Sequence, residues 1–512
     1  MYNLKRGIIL RKNKFLFPLL GMILTLTLSG CGFLAGLLES EVPYPSESES
    51  IPENAKYYRS NRSKDTYYTV GKKNLYGQHY PNSLGKQKIL VIPVTVKGYE
   101  KNATETNRNK IQKAFFGSEA ETGWHSVKTY FNKSSFGQLN IEGEVTPWFE
   151  LGLTTSQITK LEYSDYGDGG TYEVLNRAVT WAKGQGYKMK DYDLDSNGYI
   201  DCVWLVYSAP NYQNNVMLSS TFWAFTFSDY TNVNNANVKN PVPNMYVWAS
   251  FDFMQEGTSV GINIDAHTYI HEHGHVMGLD DYYDYDELHM PLGGIDMQDI
   301  NIGDHNAYSK IALGWSRPYV VQGECTITIK PAESSGHCIL VRNPTSPYLG
   351  NGFSEYLLLE LITPTGIWKQ DSTYVYPSNG IKAYTKTGVR LMHVDARLVN
   401  KNNVFVTGTS SGGLVTHGYS NTPSSSYSLG TSNLRADLLA LIPKNKSTYH
   451  QTTFGKNGIA SNNSLFVTGD TFTVDSYSMF FKDKKLHDGT TIPYTISFEN
   501  VSSTEAKITF SL

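Results

Sequence analysis

Basic charge, cysteine and long apolar runs are all scarce in this chain of 512 residues. Charged residues make up 18% of it and the formal net charge is −3, which excludes the basic footprint that neutralising a nucleic-acid backbone requires. Of its four cysteines, Cys31 follows an N-terminal apolar run, and the remaining Cys202, Cys325 and Cys338 are an odd set that excludes a full disulfide framework. Cys325 and Cys338 flank residues 331–336, which read as a hairpin loop; folding that hairpin about its centre sets Cys338 opposite Ile329. A cross-strand bridge is therefore not expected, and the thiols are taken as small buried hydrophobes. The apolar run at residues 15–28 is too short to favour a membrane-spanning helix. No internal repeat is present.

What is abundant points outward. Hydrophobic residues at 40% are ample for cores, and the length calls for two or three units. Thirty-six tyrosines, with many Ser and Asn, suit an extended, β-rich extracellular protein.

The N-terminus is a targeting segment. Lys5, Arg6, Arg11, Lys12 and Lys14 precede the apolar run, which ends in Leu28-Ser29-Gly30-Cys31. That tetrapeptide is similar to the lipobox of bacterial lipoproteins. The similarity implies cleavage before Cys31, a diacylglycerol on its sulfur, and an anchor on the extracellular face of a bacterial membrane; two acyl chains hold lastingly where one holds marginally. Residues 41–55, EVPYPSESESIPENA, cannot bury a core and read as a flexible tether. The expected divisions are a signal peptide at 1–31, a tether at 32–85, a catalytic unit at 86–320 and a β-rich unit at 321–512.

Along the catalytic unit, residues 88–94 (KILVIPV) read as a buried strand and 107–116 as a helix stopped by Gly117. Residues 138–145 read as a strand, 172–183 as an amphipathic helix and 200–207 as a strand, an order that suggests a partly parallel sheet with crossover helices. Residues 244–253 alternate like an edge strand. Asp265 stands as N-cap of a helix over 266–277, and a further helix is expected over 305–313. Beyond residue 319 short β runs, among them 325–329, 356–361, 389–393 and 508–512, are split by Gly, Ser, Asn and Pro, as in a β-sandwich.

One stretch, HEHGHVMGLDDYYD at residues 271–284, carries chemistry. On a helix, His271 and His275 share a face and can grip one metal ion, and Glu272 stands beside them to take a proton from an activated water. Gly278 lets the chain turn sharply out of the helix, so that Asp281 can return as third ligand. Zinc accepts imidazole and carboxylate ligands, and a catalytic zinc site keeps a fourth position open. His305, on a following helix, is the competing third ligand. Asp193, Asp195, Asn197 and Asp201 follow the alternate spacing of calcium loops, with Gly198 at the tight turn; Trp204 stands where an EF-hand would carry its last carboxylate, so this is not an EF-hand. His393 and Asp395 are expected to be structural.

Residues 293–297 (GGIDM) are similar to the methionine turn of metzincin peptidases, with Met297 as its methionine. Taken with residues 271–284, the downstream GGIDMQDINIGDHNAYSKIALGW and the upstream SVKTYFNKSSFGQLNIEGEVTPW, the chain resembles the immune inhibitor A family of secreted bacterial metallopeptidases. EYLLLE (355–360) and GVRLMHVDARL (388–398) extend the resemblance, which covers roughly residues 89–398 and departs from the family at Asp280, where proline is usual. It implies an α+β fold with a metzincin-like catalytic domain, a mixed twisted sheet with an active-site helix, followed by a sandwich-like C-terminal domain. It further implies zinc on His271, His275 and Asp281, Glu272 as general base, bound calcium, and endopeptidase activity on protein substrates by a monomeric chain. Tyr283 and Tyr308 are both candidates for stabilising the oxyanion. The alternative is a catalytically inactive, adhesin-like surface lipoprotein on the same scaffold; an intact Glu272 weighs against it.

Overall fold

The structure, a computed structural model, describes residues 55–57, 78–162, 169–232, 234–284, 290–345, 352–399, 415–416, 437–446 and 459–512. Cys31, the lipobox and most of the expected tether lie outside them. All described residues belong to one unit, Ser40–Leu512. The fold is mixed α and β with several sheets. Among the described residues no helix is long and apolar enough to cross a membrane.

The first sheet is built on the strand Gly85–Lys97, whose KILVIPV run is apolar on both faces because both faces are covered. Ile89 and Val91 face a core that includes the helices Glu105–Phe116 and Val127–Ser134, whereas Leu90, Ile92 and Val94 face the helix Gly169–Gly184. Pro93 donates no backbone hydrogen bond, and it falls where the neighbouring strand changes from Leu139–Val145 to Phe149–Thr154. On the other side Val203–Tyr207 and then Met245–Ser250 pair in parallel, and Phe225–Ser228 closes the sheet antiparallel. The expectation of a partly parallel sheet with crossover helices therefore holds. Two details differ. Met245–Ser250 is an interior, wholly buried strand, and the edge is Phe225–Ser228. The strand expected over 200–207 is split, with Tyr199–Ile200 pairing instead to Val242–Pro243.

The later residues form a six-stranded sheet, in the order Ala55–Tyr57, Tyr319–Val321, Ile339–Val341, Glu355–Ile362, Gly388–Asp395 and Leu439–Leu441. A four-stranded sheet, Cys325–Ile329, Ala506–Ser511, Thr495–Val501 and Thr471–Phe472, lies against one of its faces. Leu357, Leu359 and Leu391 meet that second sheet. Tyr356, Leu358 and Met392, on the opposite face, share a core with Tyr269, Ile270 and Val276 of the first half. Alternate side chains of one strand thus belong to different cores, which explains why Tyr356 to Leu359 run apolar without alternation.

The hairpin expected between Cys325 and Cys338 does not form. Cys325–Ile329 pairs with Ala506–Ser511, Ile339–Val341 pairs in the other sheet, and Ala332–Ser335 is a helical turn between them. Cys202, Cys325 and Cys338 are free thiols, Cys202 and Cys338 buried and Cys325 half-buried. Two pieces of the segment expected as a tether pack on the fold: Ala55–Tyr57 adds to the sheet edge at Tyr319–Val321, and His79 stacks on Tyr199 with ring centroids 3.8 Å apart.

Candidate metal centre

The motif helix spans His267–Val276 and is buried along nearly its whole length. Asp265 serves as its cap, although one residue earlier than the N-cap position: its Oδ1 accepts from the His267 N–H at 2.9 Å. The helix ends as the sequence requires. Gly278 has φ +91°, a left-handed conformation that a side chain would strain, and the Leu279 N–H returns to the Gly274 carbonyl. Gly274 has its own reason to lack a side chain. A Cβ there would lie 2.1 Å from Gln298 Oε1.

The turn at Gly278 brings Asp281 back to the helix. Asp281 Oδ1 is 3.0 Å from His271 Nε2 and 3.0 Å from His275 Nε2, and the two Nε2 atoms are 3.0 Å apart. The other ring nitrogens fix the tautomers. His271 Nδ1 lies 2.8 Å from the Met297 carbonyl and His275 Nδ1 2.8 Å from the Leu279 carbonyl. A carbonyl only accepts, so each Nδ1 is protonated and donates. In the neutral rings both Nε2 atoms are then bare, and three acceptors converge on one point with no proton among them. A bound cation satisfies that arrangement, as does a proton on His275 Nε2 shared with Asp281. The same demand shows in the titrations: burial lowers the His275 pKa, but the Asp281 carboxylate overrides it and pushes it up to about 10. Burial raises Asp281, and His275 and His271 outweigh it and hold it well below the usual carboxylate range. Two imidazoles and a carboxylate, with outer hydrogen bonds orienting the rings, fit zinc.

Glu272 is 5% exposed. The Thr226 hydroxyl, on the edge strand Phe225–Ser228, lies 3.0 Å from Glu272 Oε2 and 2.7 Å from its carbonyl oxygen, pinning the side chain. Burial raises the Glu272 pKa, and the charges of His275 and His271 partly offset the rise. His271, His275, Asp281 and Glu272 open onto a cleft of about 900 Å³ lined by the edge strand and by Tyr283. The Tyr283 ring lies 6.4 Å from that of His271, whereas Tyr308 is buried against Tyr282, so of the two tyrosines Tyr283 faces the cleft.

Met297 is fully buried, and its carbonyl is the acceptor that orients His271. The turn before it is held by residues from far along the chain. Leu441 N–H donates to the Pro291 carbonyl, Ala460 N–H to Gly293, and the Arg390 guanidinium to Ile295. His305 does not join the trio: its Nδ1 is 3.2 Å from Tyr130 Oη and its Nε2 3.1 Å from Gln298 Oε1. His273, the middle histidine of the motif, points into the sheet against Gln87, and burial drives its pKa down to about 3.

Asp193, Asp195 and Asp201 also converge. Burial, with the charges of Asp195 and Asp193, pushes Asp201 up to about 8, as expected of carboxylates crowded without a counter-ion. Asn197 is bound to this trio, its N–H reaching Asp193 Oδ1 at 2.9 Å and its Nδ2 donating to Asp195 Oδ2 at 2.9 Å, while its Oδ1 accepts from the Tyr199 N–H at 2.8 Å. A further convergence joins Glu355, His393 and His487, with Asp395 and Arg397 beside them.

Thr226 and Gln298 were missed by sequence reasoning. A glycine inside the motif helix was the available signal for Gln298, since it marks a close approach. Nothing in the four-residue strand FTFS singles out Thr226. No family model matches this chain and no curated protein matches it significantly, so the chemistry rests on this geometry.

Proposed function

We propose that the chain is a zinc-dependent endopeptidase of metzincin-like architecture with a sandwich-like C-terminal part, related to the immune inhibitor A family, anchored at the cell surface through Cys31 and steadied by calcium at Asp193, Asp195, Asn197 and Asp201. The observation that carries this reading is the convergence of His271, His275 and Asp281 as bare acceptors beside a pinned Glu272, at the floor of a cleft.

Bound to those three ligands, zinc would supply Lewis acidity to a water and to a peptide carbonyl. Glu272 accepts the proton of the attacking water and returns it to the leaving nitrogen; its raised pKa keeps it able to do both. Phe225–Ser228 has a free edge among the described strands, and an extended polypeptide can add to it as a further strand. Tyr283, on the cleft, is placed to meet the charge developing on the carbonyl oxygen. The test is hydrolysis of an unfolded protein substrate by purified protein. One zinc per chain, loss of cleavage on chelation and recovery with zinc are expected; cleavage that survives complete removal of zinc would overturn the reading.

A further inference from the structure

We infer that the cleft selects substrates carrying a lysine or arginine side chain close to the scissile bond, and that Asp299 is the residue that reads it. The inference rests on the peptidase reading above and adds a substrate class to it. Asp299 belongs to the short helix Met297–Ile300 that follows the turn orienting His271. It is fully buried yet lines the cleft. Its Oδ2 accepts from the Gly294 N–H at 2.9 Å, while its Oδ1 has no hydrogen-bond partner among the described residues.

A desolvated carboxyl oxygen without a partner is costly, and beside a binding cleft it can be satisfied by a donor that arrives with the ligand. Nothing in the surroundings fills that role. Arg390, whose charge reaches Asp299, donates from Nε to Glu360 Oε1 and from Nη1 to the Ile295 carbonyl, each at 2.7 Å, and its Nη2 makes no hydrogen bond to Asp299. Glu256, Glu272, Asp280, Asp281 and Asp284 line the same cleft, and no lysine or arginine is among the described residues that do. Burial and the neighbouring Asp296 raise the Asp299 pKa well above the ordinary carboxylate range, so a cation arriving beside Oδ1 is what would hold it ionised. An ammonium or guanidinium group brings N–H donors and the opposite charge to Oδ1, and Ile300, also on the cleft, offers apolar surface to its methylene stem. A substrate carboxylate would instead bury like charge against like.

The test compares matched peptides that differ only in carrying Arg, Gln or Glu beside the cleaved bond, with wild-type protein and with Asp299→Asn. In wild type, kcat/KM for the Arg peptide should exceed that for the Gln peptide by about tenfold or more, with the Glu peptide lowest. In Asp299→Asn the Arg-to-Gln ratio should fall by about tenfold, with zinc content and melting temperature recorded to show that the site is folded. No cleavage of any peptide would overturn the peptidase reading itself. Cleavage by wild type without preference for Arg overturns the assignment whatever the variant does, and so does a preference that survives in a folded, zinc-loaded Asp299→Asn.

Discussion

Two histidine–carboxylate clusters in this molecule use nearly the same residue types and are opposite in kind. At His271, His275 and Asp281 the donors are spent on backbone carbonyls, and only acceptors face the centre. At Glu355, His393 and His487 the donors face inward. The His487 and Asp488 N–H groups reach Glu355 at 2.5 and 2.7 Å, His393 Nε2 lies 2.8 Å from it, and Arg397 holds both oxygens of Asp395 at 2.7 and 2.8 Å. Glu355 and Asp395 are directly opposed on neighbouring strands, where like charges repel, and Arg397 with His487 supplies the compensating charge. The second cluster is complete in itself; the first, with both rings neutral, presents acceptors that a cation would complete. Donor inventory, more than residue type, separates a candidate metal site from a structural ion network.

The contrast can be broken at either end. The largest effect is expected from Glu272→Gln, which should keep zinc but lower kcat by about 10²–10⁴, since only the proton acceptor is lost; near-normal turnover would remove Glu272 from its role. Next, Asp281→Ala should weaken zinc affinity by about a hundredfold or more, while His305→Ala leaves zinc in place. Zinc titration of both variants decides it, and the reverse result would exchange the third ligand. Glu355→Ala should do the opposite of Asp281→Ala, costing about 3–5 kcal/mol of stability in denaturant unfolding without changing the zinc stoichiometry. Loss of a second zinc in that variant would erase the distinction drawn here.

A smaller effect sharpens the picture from a third cluster. His267 lies 2.7 Å from Asp265 and 3.4 Å from Asp371. Burial lowers its pKa, but those two carboxylates prevail and push it up to about 10. A histidine with a raised native pKa stabilises fully below its ordinary value near 6.5, and that stability is lost as pH rises through about 10. Melting temperature should therefore fall between these limits in wild type and fall less in His267→Gln; equal slopes would mean that His267 is not charged.

The convergence of His271, His275 and Asp281 was legible because its logic is local: the helical spacing of the two histidines, then one glycine and a short return to Asp281. The central strand and its crossover helices were legible for the same reason, each being a single periodic run. What failed was pairing at a distance. Cys325–Ile329 read as half of a hairpin because Ile339–Val341 was the nearest β run, yet its partner Ala506–Ser511 comes only at the end of the chain. Met245–Ser250 read as an edge because alternation was visible in the sequence, while the four residues of Phe225–Ser228 that cover it were too few to register. His305 versus Asp281 was left open by spacing, and the burial of His305 between Tyr130 and Gln298 separates them.

The turn beneath the metal centre hangs on Arg390, Leu441 and Ala460, and this sets a timetable. A chain emerging from the ribosome or an export channel presents the motif helix long before those residues arrive. Until then the carbonyl of Met297 has no fixed address, and His271 has no stable orientation. In the proposed peptidase, catalytic competence would therefore come late in biosynthesis, after almost the whole polypeptide has appeared.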